Sequence, residues 1–101
     1  MSKGVELIAI ERKKQIEKHG FTAEHHAKHP EWYDENQLID ASRRLSYKIA
    51  NDSVPTNWDS DWFSNLCKKP YTERLIIAGA LLASEWDRLD YLQKNNTGER
   101  V

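Results

Sequence analysis

Along the first twenty positions apolar residues recur at helical spacing. Val5, Ile8, Ala9, Arg12 and Ile16 share one face, while Glu6, Lys13, Lys14, Glu17 and Lys18 share the other. The pattern predicts a helix from Lys3 to His19, ended by Gly20, which adopts left-handed backbone at little cost. No period continues through Phe21 to Tyr33, a histidine-rich stretch broken by Pro30 that reads as a loop.

Periodicity resumes near Asp34. Asp34 and Gln37 stand as a capping-box variant, and Leu38, Ala41, Leu45 and Ile49 form the next apolar face. Asn51-Asp52-Ser53 and then Pro55 are expected to stop that helix. A Trp-rich connection between Asn57 and Pro70 carries a short helix capped by Asp59 or Ser60. The last helix is expected from Thr72, its N-cap, to about Lys94. From Leu75 to Ala83 it is apolar on every side and demands cover nearly all round. Ala78, Gly79, Ala80 and Ala83 strip bulk from it, so another backbone can approach.

These elements predict an all-α fold: a small bundle of three main helices plus a short Trp-rich connecting helix. Residues 1–94 form one domain, and 95–101 form a frayed tail. Three helices in one copy offer thin cover for so apolar a segment, which predicts a homo-oligomer. Four glycines and three prolines leave little punctuation for hairpins, consistent with helices.

Charge narrows the partners. Charged residues make up 31% of the chain, above the usual value of about a quarter. Fifteen basic and sixteen acidic residues are interspersed, with a net charge of -1. No basic stripe tracks a phosphate backbone, which argues against broad DNA or RNA binding but leaves room for a small anionic ligand. Cys67 stands alone, so no internal disulfide forms, compatible with a reducing cytoplasm. No signal-peptide pattern opens the chain, and the Leu75–Ala83 run falls far short of the roughly 20 residues that span a bilayer.

Several residues are unusual for their places. Arg12 lies on an apolar helix face, where a guanidinium must be paired; Glu85 or Asp87 is the expected structural partner, and Gln15 borders the same surface. With Gln15 it can instead form one polar wall of a ligand cleft. Glu85, Asp87 and Arg88 follow the apolar stretch directly. His25 and His29 are four apart beside Glu24, but Pro30 follows at once and no HExxH is present, so no metal site is assigned. Four tryptophans, Trp32, Trp58, Trp62 and Trp86, fill core or stack on a base.

Enzyme templates are missing: no P-loop, GxSxG, CxxC or Rossmann glycines occur. Glu31-Asp34 and Asp87-Asp90 fit poorly the paired carboxylates of an all-helical nucleotide pyrophosphatase. No catalytic residue and no cofactor is assigned.

Three segments together carry a resemblance. They are Glu11-Arg12-Lys13-Lys14-Gln15-Ile16 running into Gly20-Phe21-Thr22-Ala23-Glu24-His25-His26; Trp58-Asp59-Ser60-Asp61-Trp62-Phe63; and Arg74 through Leu89. The combination resembles a family of small helical bacteriophage and prophage proteins, over roughly Glu11 to Leu89. This chain departs from the family pattern at His26, where Asp is usual, and at Trp62-Phe63, where a Trp-Trp pair is usual. The resemblance implies a phage setting in the bacterial cytoplasm, where small oligomeric proteins sequester nucleotide signals of host immunity.

The favoured expectation is a non-enzymatic module holding a small nucleotide-like anion. Arg12, Arg74 or Arg88 neutralises phosphate, Gln15 hydrogen-bonds, and Trp58 or Trp62 stacks on the base; His25 and Glu85 complete the candidate set. The alternatives are a Mg²⁺-dependent nucleotide pyrophosphohydrolase using Glu85, Asp87 and Asp90, and an inhibitor that binds a host protein through an exposed surface.

Overall fold

A computed structural model describes residues 2–50 and 53–95. Among them every regular element is a helix: α1 Lys3–His19, α2 Ala23–Ala27, α3 Pro30–Tyr33, α4 Gln37–Leu45, α5 Ser60–Cys67 and α6 Tyr71–Asn95. The all-α bundle follows from the periodicities above. Asn51, Asp52 and residues 96–101, where a helix stop and most of the tail are expected, lie outside the described residues.

The first helix keeps its expected limits because both ends are capped. The Ser2 hydroxyl accepts from the Val5 amide. Gly20 takes φ +69°, and the amides of Gly20 and Phe21 close onto the Ile16 and Gln15 carbonyls. The buried face of α1 differs from expectation. Arg12 and Gln15 are buried, whereas Val5 and Ile16 are exposed. Ile8 is the apolar contact: a Cβ on Gly79 would lie 2.5 Å from its Cδ1, so the missing side chain lets α1 settle onto α6.

The stretch from Phe21 to Tyr33 is not a loop. The Thr22 hydroxyl accepts from the His25 amide and starts α2. Pro30, expected as a breaker, occupies the first turn of α3, where its missing N–H costs nothing. Helix α4 begins at Gln37, not Asp34, after Asn36 with φ +67°. Gln37 is buried and ties three segments together: its Oε1 accepts from the Glu35 amide, and its Nε2 donates to the carbonyls of Glu31 and Thr56.

Helix α4 also stops early, at Leu45, so Ile49 is 90% exposed and not on the core face. The cause lies on another helix. Arg74 of α6 donates to the carbonyls of Leu45, Tyr47 and Lys48 and to that of Lys69, finishing the end of α4 without a glycine. Of the two expected caps of α5, Asp59 and Ser60, it is Asp59 that serves, accepting from the Trp62 amide at 2.9 Å. Helix α6 starts at Tyr71 instead of being capped by Thr72, because the Pro70 carbonyl accepts the Arg74 amide.

One core unites these pieces. Tyr33, Leu38, Ala41, Leu45, Phe63, Ile77, Ala78 and Leu81 form it, with Val54, Trp58, Leu66 and Cys67 against its edge. The Ser42 hydroxyl donates to the Ala78 carbonyl at 2.9 Å inside the α4–α6 contact. Cover of α6 within one copy is incomplete, in keeping with the thin cover expected of three main helices. Helices α1, α2 and α4 take three sides, leaving Leu75 40%, Leu82 49% and Trp86 66% exposed along the fourth. No helix among the described residues is long and apolar enough to cross a membrane.

Candidate ligand pocket

Arg12 does not line the site but holds the backbone of Phe21, which does. Its Nη1 donates to the Phe21 carbonyl at 2.7 Å and its Nε pairs with Asp87 at 3.2 Å. One buried guanidinium thus joins α1, the chain after Gly20, and α6. It positions the Phe21 ring, which meets Trp62 edge-on at 6.2 Å.

The connection before α5 is set by hydrogen bonds to α3. Asn57, at φ +68°, donates from Nδ2 to the Glu31 carbonyl, and the Trp58 indole N–H donates to the Trp32 carbonyl at 2.7 Å. With its polar edge occupied, Trp58 is left with ring faces to offer. It stands edge-on to Tyr33 at 6.2 Å and to Trp62 at 5.9 Å.

Phe21, Trp32, Tyr33, Trp58 and Trp62 thereby line one cavity of about 440 Å³. Leu38, Leu81 and His26 complete its inner wall, and the exposed Asn57 and Asp59 its outer one. Most of the surface is aromatic or aliphatic. Such a space accepts a flat ring by stacking and edge contacts.

His26 is the exception inside. Only 2% exposed, it packs edge-on to Tyr33 at 4.3 Å, and its Nδ1 has no partner within the protein. Burial, followed by the positive charges of Arg12, His25, Arg88 and His29, pushes its pKa down to about 3. The imidazole is therefore neutral at ordinary pH, with one nitrogen able to donate and the other to accept.

The other anticipated residues take varied places. Trp58 and Trp62 line the pocket. His25 lies outside it, between the rings of Phe21 and His29, its pKa lowered by burial and then by His29. Gln15 lines a second cavity. Arg74 does not line the pocket, its donors spent on four carbonyls. Arg88 is buried against Glu85 through bonds of 2.8 and 3.0 Å, with Asp34 at 3.5 Å. The Glu85 hydrogen bond is the main reason the Arg88 pKa rises.

Of Arg12, Arg74 and Arg88, any one of which was expected to neutralise a phosphate, none lines the pocket. Each guanidinium is held by protein groups, because a buried charge must be paired before any ligand arrives. Glu85, Asp87 and Asp90 do not converge either, facing Arg88, Arg12 and Lys94 in turn. Among the described residues no three His, Cys, Asp or Glu side chains are grouped to hold a metal ion.

Sequence reasoning missed Phe21, Tyr33 and His26. A signal existed for Phe21, which follows the helix-ending glycine and so turns back onto the bundle. His26 gave none: only folding shows which of four histidines is buried. No protein-family model, curated protein or solved structure matches this chain.

Proposed function

We propose that this protein is a non-enzymatic binding module whose aromatic pocket holds a flat heteroaromatic group of the nucleobase kind. One observation carries the reading: five aromatic side chains drawn from separate stretches line one cavity beside a buried, unpaired imidazole nitrogen. Protein groups that merely fill a core would close that space and satisfy that nitrogen. The aromatic lining suits stacking, and a small turn of the His26 ring, whose Nδ1 is enclosed in the free protein, would let it hydrogen-bond the edge of a base.

The anionic part of the ligand belongs outside the pocket. Arg12 and Arg88 are neutralised where they stand, and Lys14 and Lys69 line the adjoining cavity, which shares Phe21 and Trp62 with the pocket. Recognition is therefore assigned chiefly to the base and weakly to its phosphates. On the phage resemblance, we place the protein in a phage setting as a sequestering agent for such a ligand. The open Leu75, Leu82 and Trp86 stripe supports self-association of the chain in that role.

Titration of intrinsic tryptophan fluorescence with the common nucleosides tests the reading. Saturable quenching by at least one of them is expected. An unchanged signal with all of them at millimolar concentration overturns it.

A further inference from the structure

The second cavity, about 390 Å³, shares Phe21, Trp62 and Leu81 with the aromatic pocket but has different chemistry. Its polar groups are arranged by depth. Gln15 is 5% exposed; its Nε2 reaches Glu11 Oε2 only at 3.4 Å, and its Oε1 has no partner. Glu11, one turn earlier on α1, is largely buried, with Lys14 at 3.4 Å. Lys14 is half-exposed and Lys69 is exposed. The inner positions therefore accept hydrogen bonds, while the cations stand outward.

We propose that this chamber is a subsite for a guanidinium or amidinium group. A carboxylate and an amide carbonyl four residues apart on one helix face make an acceptor pair for a planar fork of N–H donors. The fork gives two hydrogen bonds to Glu11 and, once the Gln15 amide turns to bring its enclosed Oε1 to the cavity, one to Gln15, with its face on the Trp62 or Phe21 ring. Lys14 is displaced from Glu11 and keeps its ammonium in water, which costs little because Lys14 is half-exposed even when paired. An anion gains less, because the innermost charge is the Glu11 carboxylate, while Lys14, Lys69, His19 and Glu73 of the same lining stand further out. This assignment is independent of what the aromatic pocket holds.

The group can belong to a small molecule or to an arginine side chain, and two probes separate these sources. The full chain, ¹⁵N-labelled, is titrated with agmatine and with the blocked tripeptide acetyl-Gly-Arg-Gly-amide, while NMR follows the Gln15 side-chain amide and the Trp62 indole. Saturable shifts with agmatine are expected, with putrescine, which has only ammonium groups, binding more weakly. Equal binding of the tripeptide assigns the site to arginine side chains; agmatine alone assigns it to free small molecules. Gln15→Leu and Glu11→Gln should each weaken agmatine about tenfold with the fold retained by circular dichroism. Shifts matching those from sodium chloride, or unchanged affinity in both variants, overturn the proposal.

Discussion

His26 and Gln15 each keep a polar atom buried and unpaired, and such an atom costs about 1–3 kcal/mol. Replacing it with an apolar group of similar size should recover part of that. Gln15→Leu is therefore expected to raise stability by about 1 kcal/mol, read as a higher urea midpoint at unchanged slope. A fall would mean that the amide is satisfied in solution. For His26 the consequence is a pH dependence. Its folded pKa lies near 3 against an ordinary 6.5, so the unfolded chain binds the proton more readily. Stability is complete above about pH 6.5 and declines as pH falls, by up to about 1.4 kcal/mol per pH unit. His25, shifted the same way, adds to the slope. Urea unfolding between pH 6.5 and 5, where carboxylates remain ionised, should show this decline. It should flatten in His26→Leu.

Among the elements, Arg74 shows how a helix end can be specified from a distance. Its guanidinium serves three carbonyls at the close of α4 from a position 29 residues beyond Leu45. Arg74→Met should cost about 3 kcal/mol in urea unfolding, since charge-assisted bonds vanish and the carbonyls stay covered. Little effect would contradict this capping role. The same contact explains why the end of α4 was illegible in sequence: no local stop precedes Tyr47, and the apolar spacing runs on to Ile49. Limits set by local caps, Gly20 for α1 and Asp59 for α5, were legible. The two short helices were not, because five and four residues hold too little period and Pro30 can start a helix as well as break one. An all-apolar run such as Leu75–Ala83 also cannot say which side stays open. For the open stripe, sedimentation equilibrium should detect self-association that Leu82→Glu abolishes. A concentration-independent monomer would remove the stripe from that role.

At the scale of the molecule, the pocket belongs to no single element. Phe21 follows α1, Trp32 and Tyr33 end α3, Trp58 precedes α5 and Trp62 lies within it, so the cavity forms only when these segments close together. Tryptophan content pointed to part of it, and Trp58 and Trp62 were legible as candidates. The arginines were legible in part. From sequence Arg12 reads as an ion pair with Glu85 or Asp87 or as one wall of a ligand cleft; the fold pairs it with Asp87 and sets Arg88 on Glu85. A ligand spanning these segments should stabilise the whole fold, by about 2.7 kcal/mol at a hundredfold excess over Kd. The most direct test of base recognition is calorimetry with nucleosides and with ribose 5-phosphate, on the native protein and Trp62→Ala. The account predicts saturable heat with a nucleoside and none with ribose 5-phosphate, and a loss of about 1–3 kcal/mol in the variant. Equal heat from ribose 5-phosphate, or undiminished nucleoside binding by Trp62→Ala, would contradict it.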